Sequence, residues 1–442
     1  MIRYKQLLRN KNLNYRGDWI MAQQIELKKS ITWIQGSALT IGAVLGAGIL
    51  VLPAVTASMA GPASILSWLF MGLLSLPMVI VIGIMSSRFP DSGGMATYVR
   101  QGIGNTAGYI TGILMLTAMP FGMPVTALIG ANYLGSVFNW SPAGIHVAAA
   151  GLLLIAITLN YRGIELSGRT QIGVITVILF ILTFAVWSAI PQMQATAFTP
   201  FLPHGWIPVG QAMALIFFAF IGWEMIGNLA EEFKNPLRDL PLSLGVSVLV
   251  VNGLYFSVAF ITVGTNVYHS DNPLTAMVTL VAYRWGNMAG SLIAFLGFIA
   301  CYCPIHTFIA GFSRLVYAQA RDGNLPAYFG KLHPRFQTPY TALLLFAPIY
   351  TIILLFSYGL SWDLKPLITI PCANFLAVYT VGMIASARIV SERWAKYLAW
   401  LSALLSGIVF LFSGWFVLFP LTVTLILLYQ QHRRKHTPGK CL

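Results

Sequence analysis

The chain has 442 residues, of which 57% are hydrophobic and only 9% charged; a soluble globular domain carries roughly a quarter charged residues. Its net charge of +14 comes from 26 Lys and Arg against 12 acids. These basic residues are spread over separate short segments rather than gathered on one face, which excludes nucleic-acid binding as well as a water-soluble enzyme.

Apolar runs of about 20 residues, long enough to cross a bilayer as helices, recur along the chain. They predict an all-α polytopic membrane protein with about twelve transmembrane helices. The spans fall near 31–58, 63–86, 106–136, 143–160, 169–190, 208–231, 242–265, 287–317, 341–358, 364–387, 396–412 and 414–430. With the N-terminus inside and the spans alternating, every Lys and Arg except Arg284 and Lys365 falls on the inner side. That bias marks cytoplasmic loops and puts both termini in the cytoplasm. The lipid bilayer is therefore the first expected partner, with headgroup contacts from the basic loops.

Residues 1–30 form a basic cytoplasmic arm. The first apolar run follows it too late and is too long for a cleavable signal peptide, and Met21 is a plausible second start. The first span holds 42-GAVLGAGILVLPA-54, poor helix material, because an interior Gly costs about 1 kcal/mol against Ala and an interior Pro about 3. Gly42 and Gly46 alone make a GxxxG packing motif. Gly48 and Pro53 go beyond what packing needs and predict a local break. Non-helical backbone at membrane depth survives only where protein or a wet cavity satisfies it. The N-terminus of a half-helix offers free N–H groups and a positive pole to a carboxylate. Carbonyls at the opposed half-helix end suit an ammonium, and the two together suit an amino acid.

His146 opens the fourth span beside Pro142 and reads as interfacial. In the sixth span, 217-FFAFIGWEMIGNLAEEF-233 holds Glu224, the one acid well inside a span, and Gly222. Acids at bilayer depth are costly and become functional candidates by default. Glu224 is thus either a proton carrier or a hydrogen-bond anchor between helices. Glu231 and Glu232 end the span and would orient the inner loop with Lys234 or Arg238. In the eighth span His306 follows Pro304 and is a candidate cavity residue, although packing uses of such a histidine are commoner. Cys301, Cys303 and Cys372 lie in spans and Cys441 in the tail. Their placement suits ordinary packing rather than a disulfide or metal site. No HExxH, His-rich or Asp-rich cluster is present, so neither an enzyme nor a cofactor or metal is expected.

Transporters built from inverted repeats place a second broken helix at the matching position of the second repeat. Gly222, five spans after the first break, answers that requirement. The expected organisation is a first repeat over 31–190, a second over 207–390, two further helices over 394–430 and a basic tail over 431–442.

Four motifs carry a family resemblance. They are GAVLGAGI with 52-LPA-54; 88-RFPDSGGMATYV-99; 216-IFFAFIGWE-224 with 231-EEFKNPLRDLP-241; and 313-SRLVYAQARDGNLP-326 with 332-LHPRFQTPY-340. Through them the chain, over about residues 31–395, resembles the amino acid–polyamine–organocation superfamily of transporters. Within it, 119-MPFGMP-124 and the EFKNP loop look most like the bacterial exporters of methionine and branched-chain amino acids. The resemblance implies a LeuT-type 5+5 fold with discontinuous first and sixth helices, alternating access and a bacterial cytoplasmic membrane. By position it puts the substrate carboxylate on the N–H groups of Gly46, Ala47 and Gly48. The ammonium meets the carbonyls of Val44, Phe218 and Ile221, beside Gly222, with Phe218 as an aromatic gate. Glu224 matches a position proposed to couple protonation to the cycle. Many relatives carry a fifth-span lysine in place of a sodium ion, whereas 174-VITVILFIL-182 has no charge.

The pocket segments are apolar apart from Glu224, which points to a neutral, apolar substrate of Leu, Ile, Val or Met type. A pocket of this kind separates one methylene by only about 1–3 kcal/mol. Export is favoured over uptake, with a proton-coupled uptake permease or exchanger of the same fold as the alternative. Channel and membrane-enzyme readings are remote.

Overall fold

The computed structural model describes residues 27–269, 286–360 and 364–436. Residues 1–26, Met21 among them, Arg284, the Lys365 side chain and Cys441 lie outside the described residues.

The chain enters its first span at a capping box. The Thr32 hydroxyl accepts from the Gln35 N–H and the Gln35 side chain accepts from the Thr32 N–H at 3.0 Å, which satisfies two of the orphan donors of a helix start. The helix that follows, α1 (Trp33–Val44), is buried from Gln35 to Val44. It stops at Leu45 and Gly46, and α2 (Ala47–Ala60) completes the span. Pro53, grouped with the break on sequence, lies instead inside α2. In the next turn the Thr56 hydroxyl donates back to the Leu52 carbonyl at 2.7 Å and to the Pro53 carbonyl at 3.3 Å.

After a 3-10 turn, α3 (Ser64–Arg88) forms the second span, and α4 (Met95–Gly102) is a short helix in the loop beyond it. Spans three to five are α5 (Asn105–Phe138), α6 (Pro142–Tyr161) and α7 (Ile164–Ala189). The second set opens on another broken helix, α8 (Trp206–Phe220) and the one-turn α9 (Met225–Asn228). It continues with α10 (Pro236–Gly264), α11 (Asn287–Arg321), α12 (Tyr340–Leu360) and α13 (Leu364–Ile389). The last two spans are α14 (Arg393–Leu411) and α15 (Leu418–His436).

Among the described residues, 11 helices are long and apolar enough to cross a membrane. The twelfth expected span is the broken first one, whose halves of 12 and 14 residues are each short of the roughly 20 that a bilayer needs. At 1.5 Å per residue α5 and α11 are each about 50 Å long, so they outreach the ~30 Å hydrocarbon layer at an end. Burial sorts the helices. In α5, the sixth span and α11, 72% of the most apolar window is inside the protein, against 11% in the last span. The two broken helices therefore sit in the middle, walled by α5 and α11, and α15 faces lipid.

At the end of the bundle that holds the Lys- and Arg-bearing loops, the chain before α1 pairs with the chain after α9. The N–H groups of Ser30 and Ile31 donate to the Glu232 carbonyl at 2.9 Å, and the Lys234 N–H donates to the Ile31 carbonyl at 2.9 Å. A buried ion pair lies beneath them, with Arg314 Nε 2.8 Å from Glu232 Oε1. Nearer the surface, Arg321 bridges Asp91 at 2.6 Å and Glu231 at 3.0 Å. Arg88 pairs with Glu392 and holds that carboxyl down from its ordinary 4.5 to about 2. Glu231 and Glu232 thus meet arginines of α11 rather than Lys234 or Arg238 in the pairs seen among the described residues. The physical reason is reach: the folded chain brings the end of α11 under the loop that follows α9.

Candidate functional site

Each half of a broken helix ends in backbone groups without helical partners, and the fold brings the two breaks together. At the first break, the Gly46 N–H turns back to the Val44 carbonyl at 2.9 Å. The donors left for a carboxylate are then those of the first turn of α2, starting at Ala47, where Gly46 caps the helix with no side chain. At the second break, Ile221 is extended and Gly222 has φ +133°. The Gly222 N–H donates to Glu224 Oε2 at 3.0 Å. One side chain spans both breaks: the hydroxyl of Tyr255, on α10, lies 2.5 Å from the Val44 carbonyl oxygen and 2.8 Å from that of Ala219.

Close approach explains the glycines. A Cβ on Gly48 would come within 2.6 Å of the Ala219 Cβ, and one on Gly46 within 2.6 Å of Pro304 Cγ. At Gly222 it would meet the Ala43 backbone at 3.1 Å, and the positive φ already disfavours any side chain. Gly42 serves a different neighbour, since its Cβ would fall 1.9 Å from Gln171 Nε2. That amide donates to the Cys303 carbonyl at 3.3 Å. Gln171 is thus the fifth-span residue that reaches the first span near its break, three positions before the segment compared on sequence, and it is uncharged.

Between the breaks lies a cavity of about 40 Å³. Val44, Gly46 and Gly48 line it from the first span, and Phe218, Ala219 and Ile221 from the sixth. The opposite walls come from Ala118, Gly122 and Thr126 of α5, Pro304, Phe308 and Phe312 of α11, and Pro371 and Phe375 of α13. Thr126 is the one polar side chain among these lining residues, and no charge is among them. By the measure that gives one water ~10–15 Å³, the space holds about three waters, so an amino acid enters only if a wall moves. Phe218 is the lining side chain that is half-buried rather than buried.

Of the residues expected on sequence, Val44, Gly46, Gly48, Phe218 and Ile221 therefore meet at one cavity. The Ala47 side chain lies outside the described residues, although its backbone opens α2. Gly222 and Glu224 stand behind the wall. Glu224 is 1% exposed. Its Oε2 accepts from the Tyr379 hydroxyl of α13 as well as from Gly222, and its Oε1 is buried with no hydrogen-bond partner. His306 does not line the cavity. It turns to α6, where Asn160 Nδ2 lies 3.2 Å from His306 Nδ1 and donates to the His306 carbonyl at 3.0 Å, while the Tyr302 hydroxyl sits 2.9 Å from the ring. His306 lies four positions after Tyr302, and that spacing puts their side chains on the α6 side of the helix, away from the face of Pro304, Phe308 and Phe312. Against the expectation of a cavity residue, His306 is not among the residues that line this cavity and packs instead against Asn160 and Tyr302.

Sequence reading missed the walls contributed by α5, α11 and α13. A signal exists in the i, i+4 spacing of Ala118, Gly122 and Thr126 and of Pro304, Phe308 and Phe312, but small and aromatic stripes at that spacing also pack helices together.

The model of the amino acid permease family matches residues 31–434. The chain is 41% identical over 397 residues to the uncharacterized amino acid permease YecA of Bacillus subtilis, covering 89% of this chain and 93% of that one. It is 28% identical to the L-methionine/branched-chain amino acid exporter YjeH of Escherichia coli, over 89% and 94% of the two chains. Among solved structures it resembles a manganese transporter of Eremococcus coleocola, with a TM-score of 0.59, 12% identity and 95% of each chain covered, a likeness of fold alone. The chain belongs to the amino acid permease family of the amino acid–polyamine–organocation superfamily. It is a transporter with the LeuT-type fold, not an enzyme.

Proposed function

We propose that this amino acid permease carries neutral, apolar amino acids of Leu, Ile, Val or Met type by alternating access, in the direction of export. The observation that carries the reading is the charge-free cavity between the two helix breaks. The poles recognise what all amino acids share: the first turn of α2 takes the carboxylate, and the carbonyls closing α1 and α8 take the ammonium. Apolar walls of Phe, Pro, Met and Ala leave a cationic or anionic side chain without a partner, at a cost of several kcal/mol for an unpaired charge. Phe218, half-buried over the cavity, serves as the gate.

Export is supported by the similarity to YjeH, an L-methionine/branched-chain amino acid exporter. The loop charges support an orientation with both termini in the cytoplasm, and the bacterial relatives support the cytoplasmic membrane. Glu224 is the coupling candidate, because its carboxyl joins the second break to α13 and a proton gained there would change the bonds to Gly222 and Tyr379. The two repeats, 31–190 and 207–390, are the parts that would rock against each other.

Counterflow in proteoliposomes with a panel of labelled amino acids tests this reading. Exchange of Leu, Ile, Val or Met without exchange of Arg, Lys or Glu supports it. Absence of counterflow for every amino acid overturns it.

A further inference from the structure

A second cavity of about 340 Å³ lies at the end of the bundle that carries the basic loops, within the ~300–1,000 Å³ range of small-molecule sites. It sits between α4, the start of α5 and the end of α11, apart from the helix breaks. Polar and charged side chains dominate its lining: Thr97, Arg100, Asn105, Gln319, Asp322 and Asn324.

Its anion occupies an unfavourable helix pole, whereas its cation, Arg100, lies in the last turn of α4, a favourable one. Arg100 packs against the first turn of the 34-residue α5, close enough that a Cβ on Gly108 would lie 2.6 Å from the Arg100 Cβ. That turn is the positive end of its helix, with no side-chain cap at Gly104. Asp322 follows the last residue of the 35-residue α11, at the negative end of its own helix. An anion at a helix C-terminus is disfavoured, and Arg100 relieves Asp322 by pairing with it. Both stay partly open, with side chains 27% and 25% exposed, so each remains accessible to an outside ion.

We propose that this cavity binds a free α-amino acid as a zwitterion, its carboxylate on Arg100 and the uncapped N-terminus of α5, its ammonium on Asp322 and the negative end of α11. A single ion would satisfy one residue and strand the other, whereas a zwitterion satisfies both at once. Occupancy reaches the charged cluster at the same end of the bundle. Arg100 contacts the Thr97 hydroxyl at 3.4 Å, Thr97 donates to Asp91 at 2.6 Å, and Asp91 pairs with Arg321, the neighbour of Asp322. Parting Arg100 from Asp322 therefore loosens the contacts of Arg321 with Asp91 and Glu231. The site then reads the amino-acid concentration on its own side of the membrane and favours opening there. The inference is independent of which amino acid the central cavity carries.

Hydrogen-exchange mass spectrometry on the full chain in lipid nanodiscs tests it, with glycine and L-methionine as probes and acetate and methylammonium as single-charge controls. Either amino acid is expected to slow exchange across 95–109 and 319–325 by severalfold, while the controls leave it unchanged. Arg100→Gln and Asp322→Asn should each remove that protection without changing exchange near 42–50. The exchanged pair Arg100→Asp with Asp322→Arg keeps the ion pair and reports on folding. The proposal is overturned if the wild-type chain shows no protection there, if both single variants keep it, or if acetate alone reproduces it. Loss of protection near 42–50 alone would count against the central transport site and leave this one standing.

Discussion

The Tyr255 hydroxyl donates to the Val44 carbonyl across 2.5 Å. The same oxygen stands 2.8 Å from the Ala219 carbonyl, and a hydroxyl has one hydrogen to share between them. Tyr255 thus couples the end of α1 to the end of α8, through the Val44 carbonyl assigned to the substrate ammonium and the Ala219 carbonyl of the facing break.

Tyr255→Phe removes this shared donor from both carbonyls, although the Val44 carbonyl keeps its bond from the Gly46 N–H. The net loss of such a bond costs about 0.5–1.5 kcal/mol, so the melting temperature in detergent should fall. Transport should fall further than stability does, because the breaks lose their common strut. A variant that loses stability while keeping wild-type turnover would reduce Tyr255 to a packing role.

Gly222 and Gly104 share nearly the same backbone angle, φ +133° and +132°, but not the same surroundings. A Cβ at 222 meets the Ala43 backbone at 3.1 Å, and one at 104 meets nothing within 4 Å. Both alanine variants should carry backbone strain of about 1–3 kcal/mol. Only Gly222→Ala should also push the two breaks apart and abolish substrate counterflow. Equal loss of transport in the two variants would contradict the close-approach explanation.

Arg314 and Glu232 are 0% and 2% exposed. Removing one partner of such a pair leaves a buried charge and costs about 3–5 kcal/mol, whereas an apolar pair of similar volume is often neutral. Glu232→Leu should therefore destabilise the protein strongly, and Glu232→Leu with Arg314→Met should recover most of the loss. Thermal unfolding of the three proteins checks the order. A double variant less stable than the single one would refute it.

Glu224→Gln keeps the shape of the side chain and removes its proton exchange. If Glu224 couples the cycle, counterflow in this variant should lose its pH dependence while substrate binding persists. Full retention of a wild-type pH profile would assign Glu224 to holding Gly222 and Tyr379 in place.

The features legible in the sequence are those that violate a local rule. Glycines clustered in an apolar span and an acid at membrane depth both cost free energy, so Gly46, Gly48, Gly222 and Glu224 stood out and fall at or beside the breaks. Pro53 broke the same kind of rule and misled, because α2 runs straight through it. The cavity walls of α5, α11 and α13 break no rule. Phe308 and Phe375 are ordinary membrane residues until the fold turns them inward. Gln171 was missed for a related reason: its contact with Gly42 and Cys303 depends on how α7 crosses α1, which neither periodicity nor composition encodes. The polar cavity at Arg100 was equally hidden, since its two charges are 222 positions apart.

The most direct test of the central claim is counterflow of labelled amino acids in proteoliposomes that contain the purified chain. Trapped unlabelled Leu or Met should drive accumulation of the labelled Leu, Ile, Val or Met, and Arg, Lys and Glu should fail as partners. Accumulation of a charged amino acid with none of the apolar ones would contradict the reading of the cavity, and no accumulation of any would contradict amino-acid transport at the paired breaks.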